Sequence, residues 1–159
     1  MDNAERGAFA EYLVACAIDG KGNGRVNWDK YDLTSKEGIT VEIKTSAYIQ
    51  TWGQDRLSTI RLGIAETKGY DSETNTYEID KKRQAQVYVF CIHYEIDQDN
   101  VNPLDTRQWD FYVLASKIIN GNKDYSKASS ISLNPLIKWG AFKSKFEGLP
   151  LVIIEAVKV

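Results

Sequence analysis

Tyr31-Asp32-Leu33-Thr34, then Ser35-Lys36-Glu37-Gly38, then Ile39-Thr40-Val41-Glu42-Ile43-Lys44-Thr45-Ser46 is the stretch whose reading decides the fold. Its two alternating runs read as the arms of a β-hairpin, Lys30 to Thr34 and Ile39 to Thr45. Glycine at the end of a three-residue loop fits a hairpin whose last loop residue turns left-handed. With Lys36-Glu37-Gly38 as the loop, Ser35 faces Ile39, and pairing back along the arms sets Asp32 opposite Glu42. Directly opposed residues share a face, and strand alternation puts Lys44 on that face as well. A two-residue loop would shift the register by one and turn Asp32 away.

Two opposed carboxylates repel each other unless a cation lies between them. Leu33, Val41 and Ile43 make the hairpin a core element, so its charged face is expected to look into a cleft. Oxygen ligands of this kind suit a hard divalent ion, Mg2+ or Mn2+. Lys44 beside them would orient or help deprotonate a water, or neutralise a phosphate oxygen. Together these groups point to metal-assisted hydrolysis of a phosphodiester. The plainer alternative is a solvated strand face with a cross-strand salt bridge.

A chain of 159 residues is read as one domain, long enough for a real core. No apolar run reaches the length of a membrane span, and Met1-Asp2-Asn3-Ala4-Glu5 is not a secretion signal, so a cytoplasmic setting without membrane contact is expected. Cys16 and Cys91 lack metal-ligand spacing and read as free, buried thiols, with a single disulfide as the alternative. The net charge of -2 does not advertise nucleic-acid binding, so any basic surface must be local.

Outward from the hairpin, Asn3 to Ile18 reads as a helix capped by Asn3, with Phe9, Leu13 and Cys16 as an apolar stripe joined by Tyr12 and Ala17. Glu11 lies on another row among Ala4, Ala8 and Ala15. It either reaches into a gap that small residues open or stays exposed. Asp19 to Gly24 reads as a glycine-rich loop without the spacing of a phosphate-binding P-loop, and Arg25 to Trp28 as a short strand. After Lys44, the side chains of Thr45, Ser46 and Gln50 can donate to phosphates or a bound water. Tyr48 and Trp52 either stack on bases or pack against the sheet.

Arg56 to Ile64 reads as a strand or extended segment, and Glu66 to Lys81 as a rim excursion or short hairpin. Val87 to Ile92 is apolar on both sides, as a strand covered on both faces should be. His93, the only histidine, reads as structural. Trp109 to Ala115 is another strand, Ser129 to Leu133 a short one, and Leu136 to Phe142 a helical turn. Leu149 to Val159 is compatible with a final strand or a packed helix.

With these residues in view, the chain resembles the restriction-endonuclease-like, PD-(D/E)XK nuclease superfamily. Glu11 on the first helix, Asp32 on the first arm and Glu42-Ile43-Lys44 on the second carry the match. The segment Glu42 to Trp52 looks like one found in a group of bacterial and phage proteins assigned to that fold. The resemblance covers roughly residues 3 to 115, and Tyr31 stands where the family carries a proline. It implies an α/β (α+β) class with a restriction-endonuclease-like core, a mixed central β-sheet flanked by helices.

It also implies that Asp32 and Glu42 hold magnesium, helped by the backbone carbonyl of Ile43. Lys44 would position the attacking water. Glu11 would hold a second metal or a metal-bound water, and Gln50 would support the site from the next element. The resulting expectation is a divalent-metal-dependent endonuclease on nucleic acid, foremost DNA, acting alone, as a homodimer or with a separate recognition subunit. Two alternatives stand beside it: a catalytically silent module of the same fold that binds nucleic acid or a protein partner, and a dimeric structure-selective junction resolvase.

Overall fold

The computed structural model describes residues 1–19, 21–22 and 30–159. Helix α1 runs Asn3–Ile18. Its cap is Asp2 and not Asn3. The Asp2 carboxylate accepts from the Glu5 amide at 2.8 Å, and the Glu5 carboxylate accepts from the Asp2 amide at 2.9 Å. This reciprocal box satisfies two otherwise orphaned donors. The Asn3 amide oxygen is used elsewhere, accepting from Arg6 at 2.6 Å. The buried face of α1 is Arg6, Ala10, Leu13, Val14 and Ile18, rotated from the expected stripe. Tyr12 and Cys16 are exposed, and Phe9 is half-buried. The helix turns its compact residues to the sheet and leaves the tyrosine to solvent.

Among the described residues the central sheet has six strands: β1 (Lys21–Gly22), β2 (Leu33–Thr34), β3 (Thr40–Ala47), β7 (Val87–His93), β8 (Trp109–Ala115) and β10 (Phe142–Ser144), in that spatial order. Only β3 and β7 are parallel; the other neighbours are antiparallel. The chain between β3 and β7 is built of β4 (Arg61–Gly63), a rim hairpin of β5 (Tyr70–Asp71) and β6 (Thr76–Tyr77), and turns. Between β8 and β10 lie α2 (Ser116–Gly121), β9 (Ser130–Ser132), which pairs with β4, and α3 (Leu133–Lys138).

The hairpin forms in the expected register. Leu33 pairs with Val41 and Thr34 with Thr40, and the register ends there, because the Asp32 amide also turns to the Val41 carbonyl instead of continuing the ladder to Glu42. Ser35 donates its amide to Ile39 at 2.9 Å, and Gly38, at φ +82°, donates to Ser35. The buried Ser35 hydroxyl accepts from the Glu37 and Ile39 amides and braces the loop. The first arm is shorter than expected: regular pairing stops at Leu33, and Lys30 to Asp32 leave the ladder. The second arm is longer, reaching Ala47 because β7 pairs with it over its whole length.

Every residue of β7 is buried, as a strand covered on both faces requires. One face carries Val41, Ile43, Val87, Val89, Cys91 and Trp109 against α1 and α4 (Leu149–Lys158). The other carries Tyr88, Phe90, Ile92, Tyr112 and Leu114 against Leu62, Ile119, Ile131 and Leu136. The C-terminal segment is helical. Pro150 sits in its first turn, where its missing N–H costs nothing. Leu149, Ile153 and Ala156 then fall on one buried face, leaving Leu151 outside.

Both cysteines are free, but only Cys91 is buried. The thiol of Cys91 is pushed up by that burial. The expected strand at Arg25–Trp28 and the loop at Gly20 and Asn23–Gly24 lie outside the described residues. No described helix is long and apolar enough to cross a membrane.

Candidate functional site

Asp32 sits where the ladder of β2 stops. Its amide donates to Val41 at 3.1 Å, and its carboxylate Oδ2 accepts from the Ile43 amide at 2.6 Å. The side chain thus takes the place of the strand carbonyl that Ile43 would otherwise meet. A strand residue presents its N–H and C=O to the same edge, so the carbonyl of Ile43 also faces Asp32.

Glu42 and Lys44 project to the opposite face from Val41 and Ile43. Lys44 Nζ lies 2.5 Å from Glu42 Oε1. Its stem passes Gly63 of β4, at 3.9 Å from the place a Cβ would occupy there. Tyr88 stands beside Glu42 on the parallel neighbour and stacks on Phe90 at 5.4 Å between ring centres. Burial, and then the charge of Glu42, push the Tyr88 phenol up to about 12. Tyr88 is therefore a protonated wall of the site. No local pattern points to it, because the β3–β7 register joins residues 42 and 88 across a long connection.

Glu42 is held above the usual glutamate range, first by burial, with Asp32 and Glu11 adding repulsion and Lys44 opposing them. Glu11 lies on α1, packed on the other face of the sheet, and is the weakest of these influences. Among the described residues, no three His, Cys, Asp or Glu side chains form a group able to hold a metal ion. The oxygen set at the hairpin is thus two carboxylates and a backbone carbonyl.

Gln50 is not gathered with this set. Its Nε2 donates to the Ala47 carbonyl at 3.0 Å, and its Oε1 accepts from Arg6 Nη1 at 3.1 Å. It fastens the end of β3 to α1. Tyr48 packs against the second core cluster, whereas Trp52 is 54% exposed. Ser46 is buried, and the Thr45 hydroxyl is buried without a partner among the described residues.

The approach to Asp32 is pinned from the rim. Lys30 Nζ reaches Glu78 at 2.9 Å, and Lys82 reaches the same carboxylate at 3.4 Å. Hydrogen bonds from Lys30, Lys82 and Gln84 hold the Glu78 carboxyl down to about 2.

A mixed sheet with flanking helices and an acid-bearing hairpin is compatible with an α/β nuclease-like fold. A family model described as bacteriophage T4 endonuclease IV matches residues 1–134, from the start of α1 into α3. The chain belongs to that family, and its activity is that of a nuclease. No curated protein matches the chain significantly.

Proposed function

We propose that the protein is a divalent-metal-dependent endonuclease that hydrolyses phosphodiester bonds in DNA, with a restriction-endonuclease-like core and its centre at Asp32, Glu42 and Lys44. The observation that carries this reading is the hairpin register. Where its ladder ends, the Asp32 carboxylate meets the Ile43 amide close enough to Glu42 to repel it, with Lys44 one alternation further on. The name of the matched family supports the nuclease activity.

The donor set fits a magnesium-like ion. Among the described residues, one oxygen of Asp32 is bonded to Ile43 and one oxygen of Glu42 to Lys44. Asp32 Oδ1, Glu42 Oε2 and the Ile43 carbonyl would hold the cation, leaving its other positions to water and a substrate oxygen, as magnesium usually requires. Bound there, the ion would acidify a water and neutralise charge on the phosphoryl oxygens.

The chain's own residues set the geometry. The Ile43 amide fixes the plane of the Asp32 carboxylate. Lys44 holds Glu42 in the absence of a cation. With a cation held at Glu42, the Lys44 ammonium would orient the attacking water or take a phosphate oxygen. Glu11 is assigned to a second cation or its water. Gln50 is assigned a positioning role, through the end of β3. The exposed Trp52 offers a face on which a base can stack.

The test is cleavage of single-stranded, duplex and branched DNA with magnesium, in the wild type, Asp32→Ala and Lys44→Ala. Each variant should keep the wild-type circular dichroism and lose cleavage by about two to three orders of magnitude. Cleavage by either variant at the wild-type rate would sink this assignment. Cleavage undiminished by EDTA would remove the metal from it.

A further inference from the structure

A second polar site lies on the other face of the sheet, at the far end of β3. A cavity of about 400 Å³ is lined by Arg6, Gln50, Thr51, His93, Gln98 and Pro103, among others. It lies between the first turns of α1, the ends of β3 and β7, and the chain beyond His93.

Arg6 is only 7% exposed, yet among the described residues no carboxylate is within ion-pair distance of it. Its guanidinium is held by two neutral acceptors, the amide oxygens of Gln50 at 3.1 Å and Asn3 at 2.6 Å. Asp2 is the opposing charge near it, and one Asp2 oxygen is engaged in the helix cap. Arg6 Nε is buried without a hydrogen-bond partner in the described structure.

His93 lines the cavity from the sheet side, with the Asn102 backbone and the Gln108 side chain bearing on its ring. It is 2% exposed, its ring packs edge-on against Trp109 at 5.1 Å, and its Nε2 is buried without a partner. Both side chains line the cavity, and Arg6 brings to it a charge that no described carboxylate pairs. A buried guanidinium held by neutral groups is a cation waiting for an anion. Arginine's planar fork matches the oxygens of phosphate.

We propose that this cavity is a phosphate-binding site, with Arg6 as its cation and His93 and Thr51 at its walls, which receives a phosphate group of the substrate strand. The proposal rests on the nuclease reading for the identity of the strand, but not for the anion itself. Ile43 and Ala47 at the cavity are four strand steps apart, about 13 Å at the usual rise. The two sites open to opposite faces of the sheet, so a strand that reaches both passes around the end of β3. The gripped phosphate would therefore lie at least about four steps of stacked DNA from the bond cut at the hairpin. The phosphate is either terminal or internal to the chain.

His93 is the only histidine in the protein, so its imidazole resonances need no assignment by mutation. Inorganic phosphate is titrated into the wild-type protein at constant ionic strength, with chloride as the control. A saturable shift of the His93 signals with phosphate, absent with chloride, is expected. Arg6→Met should weaken it at least tenfold, and Arg6→Lys should restore it in part. No saturable shift up to 50 mM phosphate, roughly a hundredfold the level at which a useful site fills, would overturn the proposal. So would an unchanged titration in folded Arg6→Met. If that variant does not fold, the wild-type titration decides alone.

The same titration on Asp32→Asn separates this site from the hairpin. It should be unaltered there, even if the hairpin proves not to cleave. Oligonucleotides with a 5′-phosphate, a 3′-phosphate or neither, added to Asp32→Asn, identify the source. A tenfold preference for one end marks a terminal phosphate, and equal binding marks an internal one.

Discussion

Glu42 is the residue on which the chemistry and the stability of the site meet. Its carboxyl is raised by burial and by Asp32 and Glu11, against the pull of Lys44. A carboxyl whose folded pKa lies above its unfolded value favours the fold while protonated. That contribution is present below the unfolded pKa and is lost as pH rises through the folded one. At neutral pH the ionised Glu42 therefore costs stability. Glu42→Gln should melt at a higher temperature than the wild type in EDTA at pH 7.5, and the gap should narrow toward pH 4.5. Manganese should raise the melting temperature of the wild type and leave that of the variant unmoved. A variant that melts lower than the wild type at both pH values would show that the carboxylate is not under strain.

At the scale of the element, the hairpin loop decides whether the carboxylates meet. Gly38 adopts φ +82°, a region that costs a residue with a Cβ roughly 1–2 kcal/mol. Gly38→Ala should lower the unfolding free energy by about that amount. It should leave cleavage by the folded fraction intact, because the register survives. Deep loss of activity at full folding would mean that the loop does more than set register.

The segment after β3 makes a second element-scale case. Trp52 is exposed and Tyr48 is packed in the core. Trp52→Ala should weaken single-stranded DNA binding by about 1–3 kcal/mol, read by fluorescence anisotropy, with little change in stability. Tyr48→Ala should show the reverse pattern.

Over the whole molecule, one sheet separates two apolar layers, and β7 feeds both. Its even-numbered residues Tyr88, Phe90 and Ile92 enter one cluster, and its odd-numbered residues Val87, Val89 and Cys91 the other. Phe90 is fully buried. Phe90→Ala should cost about 3–5 kcal/mol, a large share of the stability of a domain this size. Urea unfolding should show a midpoint lowered to match. A loss below about 1 kcal/mol would mean that the layer collapses around the gap.

Much of this could be read along the chain, and the readable parts share a cause. The hairpin register follows from Gly38 and strict alternation, rules that act within about a dozen residues, so the pairing of Leu33 with Val41 and Thr34 with Thr40 was legible, whereas the departure of Asp32 from that ladder toward the Ile43 amide was not. The span of α1 and the strands at β7 and β8 were legible for the same reason. Less visible was how these pieces use one another. Asp2 took the helix cap because Asn3 serves Arg6, and Arg6 answers Gln50 from 44 residues away. The final segment is a helix because Leu149, Ile153 and Ala156 meet the sheet; its composition alone allowed a strand. Tyr88 at the acid site and the Arg6–His93 cavity exist only once β7 lies beside β3. Period and turn chemistry are local and survive in the order of residues. Burial, charge pairing and the face a helix presents depend on neighbours that only the closed sheet brings into contact.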